Sequence, residues 1–516
     1  MPRAGFMPGK EAADGDRLIC VLIDGKDLPV GRQGRLAAEI VIVGSGPAGL
    51  VSAMELSRRG RDVIVLEAGG LPPDDSRGAY FNGENAGRDY DLVWSRYRAV
   101  GGATNAWGGW CRPLDPYEME QHPWVGGLPW PMSHRELTSY AKTAATMLGL
   151  GPWNWNAARI AASQGRASLE DLPGGAQSLA PVVWRYASHP LSFADRFRDY
   201  LNDPKSRVVF NAPVVRVDAR GRSARGVHVM LNTGRRITIT CDTLVLAAGG
   251  IETIRLLLET QARLRGAGVV LDRSGWLGRG WQEHPHVPIG TALVPESVAE
   301  GPLWLYTGRR DVGGVPVMAG LTFPTSVLKR HRLSALSVTI NSVVSTPLAP
   351  YSTGMRHIAE SIAHEPTPVR QLFARSESRT LRQSRVTLSE RRDALGRQQA
   401  RLDWRLAEGD YRDLGVAARL MALAFAQFGL GVVHQDAGKE ELLRRIRGGA
   451  HHIGGARMSR DPKEGVTDGF GALHQMPNVF VAGSATFPSG GFSNPTLTIM
   501  ALALRQARFI ASRRRP

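Results

Sequence analysis

The first clear apolar run of the chain, Ile40 to Val43, passes directly into Gly44-Ser45-Gly46-Pro47-Ala48-Gly49. A helical period follows through Leu50, Met54 and Leu56, and a second apolar run, Val63 to Leu66, ends at Glu67-Ala68. Strand, helix and strand in that order predict a βαβ unit with parallel strands. The turn has the glycine spacing of a dinucleotide site. Gly44 permits the tight turn, Gly46 lets a pyrophosphate approach the backbone, and Gly49 lets the helix pack closely on the strand. Pro47 and Ala48 open the helix, whose unpaired N–H groups favour phosphate charge. Glu67, 23 residues after Gly44, stands where a carboxylate accepts from ribose hydroxyls and disfavours a 2′-phosphate. The motif alone does not separate FAD from NAD.

The remaining pattern predicts a composite α/β protein. Leu18 to Gly34 reads as a short strand and turn, and the polar segment from Gly70 to Asp91 shows neither period, as expected of an extended excursion over the cofactor. Arg96 to Cys111 (RYRAVGGATNAWGGWC) reads as an irregular loop, in which the paired Gly101 and Gly102 let the backbone lie flat against a planar ligand. Val125 to Met132 marks a boundary before a helix through Leu137, Ala141, Ala145 and Leu148. Strands are predicted at 208–210, 214–217, 227–231, 237–239 and 243–246. The last runs into Ala247-Ala248-Gly249-Gly250 and a helix over 251–264, as a third parallel strand of the nucleotide sheet would.

Alternation over 317–344 and 386–404, with a hairpin connection at 393–396, predicts a mostly antiparallel sheet outside the nucleotide unit, with a helix from Arg412 to Phe428 packed on it. Asn478 to Ala482 is a buried strand, and Asn494 is the expected N-cap of a helix that starts at Pro495 and runs through Ile510. The expected fold is a Rossmann-like nucleotide-binding domain, discontinuous in sequence, with a second substrate-binding domain built on a mostly antiparallel sheet flanked by helices. The expected division is a disordered extension over 1–17, nucleotide domain over 18–135, 205–295 and 447–516, and substrate domain over 136–204 and 296–446. The cofactor-covering loop is 71–111.

Composition narrows the partners. A chain of 516 residues that is 43% hydrophobic can bury a large core. No run is long and apolar enough to span a membrane, and the N-terminus lacks a signal-peptide core, so a cytoplasmic protein is expected. Cys20, Cys111 and Cys241 are too far apart in sequence for a Cys-x-x-Cys site, and no Cys-x-x-Cys-His haem motif occurs. The net charge of +17 is carried by arginines spread along the chain, which does not favour nucleic acid as partner.

Several separated motifs together resemble the glucose-methanol-choline family of flavin-dependent oxidoreductases. They are VGSGPAG with Glu67, RAVGGATNAWGG, LVLAAGGIETIRLLL, LGRGWQEHPH (277–286), HHIGGARM (451–458) and AGSATFPSGGFSNPTLT (482–498). The Asn-Pro-Thr-Leu-Thr ending is similar to the branch of pyranose oxidases and sugar dehydrogenases. The resemblance implies FAD, with no metal. It assigns His451 and Asn494, 43 residues apart, as the catalytic pair, with His452 as the alternative base. It places cofactor contacts at Ala68, Gly101, Gly102, Thr104, Asn105, Trp107, Val215, Ala248, Gly249, Gly483, Ser484, Pro495 and Thr496. Where some members attach the flavin through a histidine, this chain has Ala106, which implies non-covalent FAD.

For such an enzyme a neutral His451 takes the hydroxyl proton while flavin N5 takes the hydride, and Asn494 orients the substrate oxygen. The start of the helix near Pro495 favours the negative charge that develops there. The branch implies a secondary hydroxyl of a sugar or glycoside as substrate. Alternatives are a non-sugar alcohol (sterol, polyol or aromatic) or a non-oxidative flavoprotein on the same scaffold. Trp107, Trp110, Trp124 and Trp130 could stack on a sugar ring or serve only in packing. Oxygen, a quinone or another carrier would accept the electrons, and the oligomeric state is left open.

Overall fold

The computed structural model describes residues 22–29, 35–71, 77–172, 175–231, 233–342, 357, 360–361, 364–435 and 438–513. The extension expected over 1–17, and Cys20, lie outside them. A parallel sheet forms where the apolar runs predicted it. Its order is Ile23–Asp24, Val208–Phe210, Val63–Leu66, Arg35–Val43, Arg236–Leu246, Met476–Val481 and Ala472–Leu473, parallel except at the last pair. Val63–Leu66 is buried throughout, which is why it reads as an unbroken apolar run. The helix Pro47–Arg58 follows the first long strand. Gly44 has φ +100°, and a Cβ there would meet the Ala247 carbonyl oxygen at 2.5 Å. A Cβ on Gly49 would lie 1.9 Å from the Gly44 carbonyl oxygen, so the helix seats on the turn only with glycine at that position.

The expected strands at 237–239 and 243–246 are one strand, Arg236–Leu246. Its first half pairs with Ser223–Met230 and its second half with Met476–Val481, so polar positions between them interrupt the apolar pattern without interrupting the strand.

The antiparallel region consists of two sheets rather than one. The larger has the order Val432–His434, Pro285–Leu293, Val369–Ser376, Leu336–Ser342, Val315–Thr322, Ala180–Tyr186 and Trp110–Cys111, with Arg310–Val312 and Arg447–Gly448 attached. The hairpin Arg385–Arg392 and Gln398–Asp403 stands apart and takes Gly83–Asn85 as a third strand. The segment expected to be an extended excursion over 71–91 therefore contains regular structure, a short helix Arg77–Phe81 and the Gly83–Asn85 strand. Three residues are too few to show alternation. The helix Glu408–Gln427 packs Leu414, Ala417, Met421 and Phe425 into one core with Val287, Ile289, Leu372 and Ala374 of the larger sheet. Among the described residues no helix is long and apolar enough to cross a membrane, and no group of three His, Cys, Asp or Glu is arranged to hold a metal.

Candidate active site

The parallel strands end together at their C-terminal edge, where an open α/β sheet binds ligands. The turn around Gly46, the end of Arg236–Leu246 at Gly249 and the end of Met476–Val481 at Gly483 all lie there. A Cβ on Gly249 or Gly483 would meet nothing within 4 Å, and one on Gly46 would meet only the Gly102 Cα at 4.0 Å. These three glycines therefore border open space, unlike Gly44 and Gly49. Ala48 is buried under the turn, and Ala248 and Ser484 flank the same edge, with Ser484 Oγ donating to the His452 carbonyl at 2.6 Å.

Glu67 is buried, and its carboxylate accepts from Ser45 N (3.0 Å), Ser45 Oγ (2.7 Å) and Gly69 N (2.9 Å). Burial raises its pKa, opposed by these hydrogen bonds. The chain after Val208–Phe210 adjoins it, with Ala212 N donating to the Glu67 carbonyl and leading to Val215 at the start of Val214–Arg220.

The glycine loop crosses in front of this turn. Gly101 N donates to the Ser45 carbonyl at 3.1 Å, and Gly102 enters a single 3-10 turn, Gly102–Asn105. Thr104 and Asn105 use their side chains to hold this loop. Thr104 Oγ1 donates to the Gly101 carbonyl and accepts from Phe193 N; Asn105 Nδ2 donates to the Val100 and Gly102 carbonyls while its Oδ1 accepts from Ser192 Oγ. Trp107 donates to the Leu191 carbonyl and stands edge-on to Phe193, and Ala106 is exposed.

His451 and Asn494 meet. His451 Nε2 and Asn494 Nδ2 are 3.5 Å apart, both side chains half-buried. Asn494 is not the N-cap it was expected to be: Pro495 occupies the cap of Thr496–Ser512, and no side chain caps it. The amide is instead turned into the site, where its Oδ1 accepts from Trp184 Nε1 at 3.1 Å, leaving Nδ2 toward His451. His452 points the other way, as adjacent residues of an extended segment do, and packs against Tyr90 and Trp281. Ala450, before the pair, is held at φ +59°, an unusual conformation for a residue with a Cβ.

Two loops carry this pair, and buried carboxylates anchor both. Glu283 accepts from His451 N (2.9 and 3.0 Å), His284 N (2.8 Å) and Tyr90 Oη (2.6 Å). Burial pushes its pKa up to about 7, against these hydrogen bonds. Ahead of Asn494, Glu377 accepts from Gly490 N and Gly491 N, and Glu118 from Phe492 N and Ser493 N.

His284 sets the protonation of His451. The Gly490 carbonyl can only accept, so His284 Nε2, at 3.3 Å, donates to it. Burial pushes His284 down to about 4, so its ring is neutral and Nδ1 carries a lone pair. The 2.9 Å contact between the two Nδ1 atoms is then a bond donated by His451. That leaves His451 Nε2 bare, facing Asn494 Nδ2. Burial, then the neighbouring His284, His286, Arg375 and His452, hold His451 well below the usual histidine range, so it is neutral at physiological pH.

A wall of aromatic rings continues from the pair. Trp184 stands edge-on to Trp110 at 5.5 Å, Trp110 to Tyr186 at 5.1 Å, and the His286 ring lies 5.7 Å from that of His451. Trp124 and Trp130 are tied elsewhere, to the Leu333 carbonyl and to Ser489 Oγ.

Residues 39–311 match the family model described as FAD dependent oxidoreductase, and residues 380–503 match that of GMC oxidoreductase. The chain belongs to the glucose-methanol-choline family of FAD-dependent oxidoreductases. Paromamine 6'-oxidase of Streptomyces fradiae is 27% identical over 92% of this chain and 91% of its own length. The fructose dehydrogenase large subunit of Gluconobacter japonicus is 24% identical over 92% and 97%. Pyridoxine 4-oxidase of Mesorbium loti has the same fold, with a TM-score of 0.56 at 18% identity over 92% of this chain and 100% of that one. The residues of this GMC oxidoreductase fit its cofactor. Open glycine positions border the sheet edge, and a buried carboxylate stands at the end of the second strand.

Proposed function

We propose that this GMC oxidoreductase oxidises a secondary ring hydroxyl of a sugar or glycoside to a ketone, with His451 as the base and Asn494 as the group that orients the substrate oxygen. The observation that carries this reading is the bare Nε2 of His451 facing the amide Nδ2 of Asn494. A hydroxyl placed between them donates to the first and accepts from the second, which is the arrangement needed to remove its proton. FAD supplies the hydride acceptor. The residues that hold it are the Gly44–Gly49 turn with Glu67 and Ala68, the Gly101–Trp107 loop, Val215, Ala248–Gly249, Gly483–Ser484 and the helix start at Pro495-Thr496. The unpaired N–H groups of that helix start favour negative charge beside them. Ala106 offers no nucleophile, so the FAD is non-covalent and leaves with the supernatant on acid precipitation.

The sugar class is supported by the names of the two curated relatives and by the aromatic wall beside the pair. Electrons pass on to oxygen, a quinone or another carrier, and the protein acts in the cytoplasm. Product analysis tests the reading: borodeuteride reduction of the product returns label to a ring carbon if a ketone was formed. Label on the exocyclic carbon identifies an aldehyde and contradicts secondary-hydroxyl oxidation.

A pH profile tests the base. An ordinary histidine with pKa near 6.5 would be about three-quarters protonated at pH 6. His451 is held below that range, so the anaerobic rate of flavin reduction is expected to stay level from pH 9 down to pH 6. A fall with a midpoint between 6.5 and 7 contradicts the assignment.

A further inference from the structure

The strand Val369–Ser376 alternates strictly. Arg370, Leu372, Ala374 and Ser376 are buried, while Gln371, Phe373 and Arg375 face the other way. Arg375 is the register partner of His286 on the neighbouring strand, so the two side chains leave the same face of the sheet. That face is the one on which His286 approaches His451. The Arg375 guanidinium lies 4.8 Å above the Trp110 ring and 5.1 Å from that of Phe373, and its Nη1 donates to Thr339 Oγ1 at 3.0 Å.

Among the described residues Arg375 has no carboxylate partner. Several buried arginines of this fold are matched, Arg96 with Glu252, Arg112 with Glu118 and Arg255 with Asp393. Others are not paired with a carboxylate among the described residues: Arg185 and Arg457 donate to backbone carbonyls, and Arg370 leaves the opposite face of the same strand. Arg375 differs from these in facing the catalytic pair. Burial pushes Arg375 down to about 10, which agrees with its isolation from negative charge. A half-buried guanidinium without an anion is costly, and one that faces a substrate site is suited to an anion brought by the ligand. A second cation, the exposed Arg309, stands over Tyr186 at 4.1 Å on the same aromatic wall.

We propose that the substrate carries an anionic group, which Arg375 receives while Trp110 covers the adjoining sugar face. The chemistry is that of a carboxylate or phosphate on the sugar, both of which match the planar fork of a guanidinium. An amino sugar would set a cation against Arg375. The formal charge of +17, which no nucleic-acid motif explains, draws such a substrate toward the protein. This inference rests on the sugar reading of the catalytic pair.

The test is a tryptophan-fluorescence titration of the anaerobic, dithionite-reduced holoenzyme, which cannot oxidise the ligand. Methyl glucuronide and glucose 6-phosphate are expected to bind at least 10-fold more tightly than methyl glucoside, and glucosamine more weakly than methyl glucoside. Arg375→Gln is expected to weaken both anionic ligands at least 10-fold and the neutral one less than 3-fold, with Arg375→Lys between. The tighter of the two anions identifies the group. Equal affinity for neutral and anionic sugars, a preference for glucosamine, or a uniform loss in Arg375→Gln overturns the proposal. The reading beneath it fails separately: sugars that bind yet never reduce the oxidised flavin contradict sugar oxidation alone.

Discussion

His451→Ala is expected to lower the rate of anaerobic flavin reduction by about 100-fold or more, the range for loss of a general base, with FAD content unchanged. His451 Nε2 is the one nitrogen of the pair that carries a lone pair toward the site, because its Nδ1 proton is committed to His284. Asn494 cannot replace it, since an amide neither takes nor gives up a proton at neutral pH. His452→Ala serves as the control. Its ring packs behind the site on Tyr90 and Trp281, so its loss costs stability through packing but leaves the reduction rate within about 10-fold of wild type. Flavin content measured alongside separates the two effects, and an unchanged single-turnover rate in His451→Ala contradicts the assignment.

The second large effect distinguishes two glycines three residues apart. Gly49→Ala places a methyl group 1.9 Å from the Gly44 carbonyl oxygen, a backbone atom, so the helix must move off the turn. Gly46→Ala meets nothing closer than the Gly102 Cα at 4.0 Å, so the ligand-free fold accommodates it. Its methyl group projects instead into the space where the pyrophosphate approaches. Gly49→Ala is therefore expected to lose thermal stability even without FAD. Gly46→Ala is expected to keep the apoprotein's melting temperature and lose FAD affinity, by about 10-fold or more given the close backbone approach that motif requires. Equilibrium dialysis of FAD with both apoproteins, alongside their melting curves, checks the pair. Full FAD affinity in Gly46→Ala contradicts this placement of the cofactor.

How far the sequence carries this account depends on the range of the interaction. Local patterns located the parallel strands well, because Ile40–Val43, Val63–Leu66 and Val208–Phe210 are apolar on both faces and bounded by turns. They misread Asn494, since Asn-Pro before a helical run is a capping signal by local rules. The side chain turns inward only because Trp184, 310 residues away, supplies a donor. They split Arg236–Leu246, whose two halves face different neighbours. The meeting of His451 with Asn494 was legible through family motifs and not through any period. His284, Glu283 and His286 stood in plain view in WQEHPH, yet spacing alone did not show that Pro285–Leu293 brings them beside His451. Arg375 carried no signal except strict alternation along VRQLFARS. Its importance emerges from register with a strand about 80 residues earlier, which a single sequence does not encode in any local pattern.

The most direct measurement of the central claim is anaerobic mixing of the FAD holoenzyme with a panel of pyranosides and non-sugar alcohols, following flavin absorbance, and then admitting air. Bleaching by pyranosides, with sterols, simple polyols and aromatic alcohols slower by at least 10-fold, is the result this account predicts, and the speed at which colour returns separates oxidase from dehydrogenase. A flavin that dithionite reduces but no pyranoside bleaches would contradict it.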